Sequence, residues 1–185
     1  MAKRVVVKPG DIFCIELEDN TKCYFQNLGE DSEQLNGNVI RVFKKKYYNT
    51  QKPTFDEIIS DPIDFHALTY INWGVKLEKW FKVGKAMINK DCENIYFKTI
   101  DEDDEGKKIW DVWRVNKRGK SYKNNITKKL YEKAEWGLVF SADAIINKIN
   151  HGYFRKYLDD IDKEYQNISD KHDMLSFFDI FKKKK

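Results

Sequence analysis

The chain has 185 residues, 41% hydrophobic, 15% aromatic and 35% charged, with a formal net charge of +4 from 34 basic and 30 acidic residues. That is enough apolar material for one sizeable core, which excludes a wholly disordered chain, and no stretch reaches the roughly 18 apolar residues of a membrane span. The charge surplus is close to that of the terminal Lys182 to Lys185, so the remainder is about neutral and carries no dedicated polyanion-binding signature.

Read in chain order, residues 1–47 are β in character. Pro9-Gly10 punctuates the start, and Ile12 to Leu17 is rich in strand formers. Glu18-Asp19-Asn20-Thr21 is a polar turn, and Lys22 to Leu28 runs back as the second arm of a hairpin. A two-residue Asp19-Asn20 turn puts Cys14 and Cys23 on one face, offset diagonally. With Cys92 they form an odd set lacking a Cys-x-x-Cys, so reduced thiols are expected. A polar loop from Gly29 to Asn38 leads into Val39 to Phe43, which Lys44-Lys45-Lys46 prolongs towards solvent. Pro53 to Glu57 opens a short helix with a capping box between Thr54 and Glu57; Ile58 and Ile59 face inward, and Asp61-Pro62 stops it.

Three β runs follow, Ile63 to Trp73, Lys79 to Lys85 and Ile95 to Ile100. An acidic turn, Asp101 to Gly106, leads into Ile109 to Val115, where Trp110 and Val112 take one face and Asp111, Trp113 and Val115 the other. Lys117 to Lys120 is the next turn. Asn124 to Glu135 is ambiguous between helix and coil, and Gly137 to Phe140 is a short buried strand. Ser141 caps the clearest helix, with Ala142, Ile145, Ile146 and Ile149 on one face and Gly152 at its end. Leu158, Ile161, Tyr165 and Ile168 make a second helical stripe, and Met174, Leu175, Phe178 and Phe181 a third. The sum is an α+β fold: a bent antiparallel sheet or partial barrel of about seven strands, a short helix after the third strand, and C-terminal helices. Residues 1–152 are assigned to this domain and 153–185 to a helical extension packed on it, with a disordered lysine tail.

No catalytic, metal or cofactor site is expected. His66, His151 and His172 are far apart without a paired ligand motif, and the acidic run lacks the alternation of a calcium loop. There is no Gly-x-Ser-x-Gly, no cysteine in a catalytic context and no glycine-rich phosphate cradle. Two surfaces could bind a macromolecule. Arg41, Lys44, Lys45 and Tyr47 interleave bases with aromatics as nucleic-acid stacking platforms do, although lysines also blunt exposed strand edges. From Tyr157 to Phe181 there are seven acids against two bases, a net of −5, set among aromatics. Asp159, Asp160, Asp162, Tyr165, Asp170 and Asp173 are its candidates for gripping a basic protein; the competing reading is an apolar stripe packed on the sheet with its charges in water. A terminal-helix self-association, giving a weak homodimer in place of a monomer, is a third possibility. The N-terminal residues show no export signal, so a cytoplasmic protein is expected, without membrane partners.

Several of these segments carry a resemblance. Lys8-Pro9-Gly10-Asp11-Ile12-Phe13-Cys14-Ile15 resembles the opening Lys-x-Gly-Asp-hydrophobic strand of the immunity protein 26 family of bacterial polymorphic-toxin systems. Val39-Ile40-Arg41-Val42-Phe43 is similar to that family's Arg-Val-Phe strand. The Pro53 to Ile59 helix, the Trp80-Phe81-Lys82-Val83-Gly84 run and the Gly137 to Phe140 strand follow in the same order, so the resemblance covers roughly residues 8 to 150. It implies a cytosolic, non-enzymatic protein that neutralises a cognate toxin by docking on it. The implied toxin acts in the cytoplasm, often as a nuclease or nucleotide-modifying enzyme, whose site an acidic surface would occlude. The resemblance assigns no toxin-binding residue. Gly10, Asp11, Arg41, Trp80 and Gly84 are read first as structural.

Overall fold

In a computed structural model, which describes residues 6–31, 35–88, 94–102, 108–115, 121–123 and 128–169, the expected α+β fold is present. The turns at Asp103 to Gly106 and Lys117 to Lys120, together with Cys92, His172, the Met174 to Phe181 stripe and the lysine tail, lie outside the described residues.

The opening hairpin pairs β1 (Asp11–Glu16) with β2 (Thr21–Asp31), but one residue out of the expected register. Glu16 lies opposite Lys22 and Ile15 opposite Cys23, while the Leu17 amide donates to the Thr21 carbonyl at 2.8 Å. The loop is therefore Glu18-Asp19-Asn20, with Asn20 at φ 59°, the left-handed residue that closes three-residue hairpins. A one-residue slip turns a side chain to the other face. Cys14 and Cys23 accordingly sit in different clusters on opposite faces, both buried and free, where burial lifts their thiols to about 11 and about 12. β2 also runs on through Asp31, past a bulge at Asn27 to Gly29, into what the sequence suggests is loop.

β3 (Gly37–Phe43) ends at Phe43, so Lys44 to Lys46 do not extend it. The chain turns, and β4 (Tyr47–Tyr48) returns to pair with the start of β2. Helix α1 (Phe55–Ser60) carries the Thr54–Glu57 capping box and buries Ile58. The run from Ile63 to Trp73 divides: β5 (Ile63–Thr69) is a strand, while Ile71 onward forms helix α2 (Ile71–Lys76), followed by β6 (Phe81–Lys85). β7 (Ile95–Glu102), β8 (Lys108–Val115) and β9 (Ser121–Lys123) form a meander, and α3 (Lys128–Lys133) resolves the ambiguous segment as helix. A short strand not expected from the sequence, β10 (Glu135–Trp136), precedes Gly137, and of the expected strand from Gly137 to Phe140 the last two residues form β11 (Val139–Phe140). Helix α4 (Ala142–His151) starts at Ser141, whose hydroxyl accepts from the Ala144 amide, and ends at Gly152; α5 (Lys156–Ser169) follows.

The strands build two sheets. The larger has the order β11-β5-β3-β2-β1-β6, with β4 added on β2, and the smaller β10-β7-β8-β9. Pairing is antiparallel except for β10 with β7 and β11 with β5. On one face of the large sheet Phe13, Phe25, Val42 and Phe65 meet Ile71, Trp80, Phe140, Ile145, Phe154 and Leu158. Each such side chain contributes about 1.5–3 kcal/mol by leaving water, so this layer dominates stability. The opposite face is covered at one end by α1, against Ile12, Tyr24 and Phe43, and at the other by the small sheet, against Val39 and Leu68. Between those two apolar clusters lies a polar row, Gln26, Arg41 and His66, opposite one another on β2, β3 and β5.

Candidate functional site

That row explains the sequence motif at the N-terminus. Gly10, at φ 91°, donates its amide to the Asn27 carbonyl, and a Cβ there would stand 2.7 Å from the Ala86 carbonyl oxygen. The Gln26 amide group donates to the carbonyls of Gly10 and Ala86, and its oxygen accepts from the Arg41 guanidinium at 2.6 Å. The buried Asp11 carboxylate accepts from the Lys8 amide and from Lys82 Nζ at 2.7 Å. These groups hold the ends of β1, β2, β3 and β6 together.

Of the basic and aromatic strand residues, Arg41 is 2% exposed and Tyr47 4%. The Tyr47 hydroxyl donates to Asp61 at 2.6 Å, and Lys45 lies over the Tyr47 ring, 4.5 Å from its centre. Lys44 and Lys45 are exposed, but with Arg41 and Tyr47 inside, these four residues do not form a surface on which bases stack.

The acidic helix is divided in the same way. Asp162 faces the protein: its carboxylate accepts from Lys98 Nζ at 2.8 Å and from the Tyr131 hydroxyl and Trp136 Nε1, both at 3.0 Å. Lys98 is buried, 4.1 Å from the centre of the Tyr131 ring. Asp159 is half-buried, and Asp160 is exposed beside Lys163 at 3.5 Å. The Tyr165 side chain, Asp170 and Asp173 lie outside what the structure describes.

Sequence reasoning missed a surface at α2, the helix that packs beside α4. Tyr70, Trp73 and Leu77 recur at helical spacing along α2, and that face points to solvent, with exposures of 46%, 60% and 55%. The inward face carries Ile71 and Gly74. Directly after α2, Glu78, Lys79 and Phe81 form one wall of a cleft of about 380 Å³, closed by Glu16 and Glu18 of the hairpin and by Asp143, Asn147 and Asn150 of α4. Lys79 is held by Asp143 at 2.8 Å. No helix among the described residues is long and apolar enough to cross a membrane.

Comparison with known families gives a match to the model of immunity protein 26 over residues 8–109. The chain belongs to the immunity protein 26 family. Comparison with curated proteins and with solved structures found no match. The immunity protein 26 match ends earlier than the sequence resemblance, which runs to about residue 150. It contains the buried Gly10, Asp11, Gln26 and Arg41 and the exposed Lys82 that pairs with Asp11, as well as Trp80 and α2. Membership carries the family's toxin-neutralising immunity role.

The polar row also makes this immunity protein sensitive to acid. Burial, and then the Arg41 guanidinium, push His66 down to about 4 from its ordinary 6.5, and among the described residues its Nε2 has no hydrogen-bond partner. The unfolded chain takes up this proton near pH 6.5 and the folded chain only near 4, so stability is full above 6.5 and falls as pH drops towards 4. Burial raises the nearby Glu135 carboxyl, which acts in the opposite sense. His66→Gln is therefore expected to lose less melting temperature than the parent between pH 7 and roughly pH 4.5. Equal losses would show that His66 is not the group responsible.

Proposed function

We propose that this chain neutralises its cognate toxin by binding it directly and covering the toxin's active site, with no chemistry of its own. The observation that carries the reading is the immunity protein 26 match over residues 8–109. The geometry supports a binding role: Asp11, Gln26 and Arg41 of the matched segment are spent on partners inside the fold, so contact with a partner falls to the residues of the exterior. A protein partner is favoured over nucleic acid because Arg41 and Tyr47 are interior. The place of action would be the cytoplasm, where such a toxin reaches its target. Inhibitors of this kind reach nanomolar affinity, about −12 kcal/mol, which requires a central cluster of large side chains as well as charge.

The test is co-expression with the toxin encoded in the neighbouring open reading frame. Rescue of growth and co-purification of a stoichiometric complex are expected. A toxin that kills in the presence of this chain and does not co-purify with it would end the reading.

A further inference from the structure

We propose that the toxin-contacting surface is the outward face of α2 together with the acidic cleft beside it, and that it receives a basic patch on the toxin. This rests on the neutralisation reading above and assigns it a surface.

The first argument is the orientation of α2. A short helix packed on a core ordinarily turns its apolar stripe inward and its polar residues outward. Here Gly74 lies against the Trp80 indole on the inner side, while Tyr70, Trp73 and Leu77 stand in water. Lys76 lies 5.2 Å from the centre of the Trp73 ring and leaves it 60% exposed. Large aromatic side chains of this kind supply most of the energy in protein interfaces when a partner buries them. The stripe runs on along the chain through Leu77 into the cleft wall, where Phe81 is exposed as well.

The second argument is charge. Glu16, Glu18, Glu78 and Asp143 line the cleft against Lys79 alone, a net of −3 with His151 neutral. Lys46 reaches the rim, 3.5 Å from Asn150, but stands 3.9 Å from Asp19, so the rim adds nothing to the balance. Such a cleft attracts arginine and lysine side chains and repels phosphates. A second copy of this chain fits poorly, because a two-fold contact would set the same carboxylates against one another.

The experiment uses the full chain and the toxin from the neighbouring open reading frame, with affinity measured by titration calorimetry at two salt concentrations. Trp73→Ala removes an exposed ring and is expected to keep the parental melting temperature while weakening binding at least about 30-fold. Glu78→Lys is expected to weaken binding and to lessen its salt dependence. Asp160→Lys, on the outer side of α5, is expected to leave affinity unchanged. Parental affinity in the Trp73→Ala, Glu78→Lys double variant would overturn the assignment, as would loss of binding in Asp160→Lys alone. A dimer of the free chain that Trp73→Ala dissolves without altering toxin affinity would identify the stripe as a self-contact and likewise overturn it. If the parent chain binds no toxin at all, the neutralisation reading itself fails, an outcome separate from these.

Discussion

Asp162→Ala is expected to destabilise the fold by about 3 kcal/mol, measured as a shift in the denaturant midpoint at unchanged slope. The cause is the lysine that it strands. Lys98 is buried between the rings of Tyr131 and Trp136, and the Asp162 carboxylate pairs with it directly at 2.8 Å. Removing one member of a buried pair leaves an uncompensated charge, whereas replacing both with apolar groups is close to neutral. The double variant Lys98→Met, Asp162→Leu is therefore expected to recover part of the loss, the remainder being the acceptor that the Tyr131 hydroxyl and Trp136 Nε1 lose. Equal destabilisation in the single and double variants would show that packing, and not the pairing of charge, holds α5 in place.

Trp80→Ala is expected to cost about 4 kcal/mol, the range for deleting a large ring from a well-packed core. The indole is buried edge-on against Phe25, at 5.2 Å between centres, and donates from Nε1 to the Ile71 carbonyl at 2.9 Å. The same ring reverses the ordinary effect of a substitution in α2. Alanine in place of glycine within a helix stabilises by about 1 kcal/mol. At Gly74 the added methyl would stand 2.1 Å from Trp80 Cε2 and Cζ2, so Gly74→Ala is expected to destabilise. Thermal melts of both variants check this; a raised melting temperature for Gly74→Ala would mean that the indole is not held where it is described.

What could be read from the residues followed local chemistry. The capping box at Thr54, the Ser141 start of α4 and its end at Gly152 are set by side chains close in sequence, and all three are found. Decisions made over longer distances were hidden. The hairpin register turned on whether two or three residues close the loop, and Asn20 accepts the left-handed conformation in either case. α2 is concealed because Tyr70 offers no side-chain cap and Gly74 and Val75 are poor helix formers, so the segment reads as a continuation of β5. Its outward stripe is concealed twice over, since periodic apolar residues are ordinarily assigned to a core. Arg41, read first as structural, is interior, whereas its stacking-platform partner Tyr47 reads as a surface residue; Gln26 and Asp61, 15 and 14 positions away, supply the partners that let them be buried. Asp162 is likewise drawn inward by Lys98, 64 positions earlier. No pattern along the chain announces such partners. The acidic helix therefore looks like an interaction face in sequence, while in the fold one of its central carboxylates serves as an anchor.

The two parallel pairings made by β10 and β11 bring in the strands that leave the ribosome last among the described residues. Each hairpin of the large sheet can close while its own residues emerge, but Val139 must find Leu68 and Glu135 must find Phe97 across long intervening chain. Such closures are slow, because the loop entropy is lost before any contact rewards it. Until they happen, the ribosome has released a curved sheet whose Phe25, Val42 and Phe65 lack the cover later supplied by Phe140, Ile145, Phe154 and Leu158. The family-matched stretch is therefore a platform that lacks part of its cover, and during synthesis the nascent chain is expected to be most exposed to chaperones and proteases in the interval between residue 109 and residue 158.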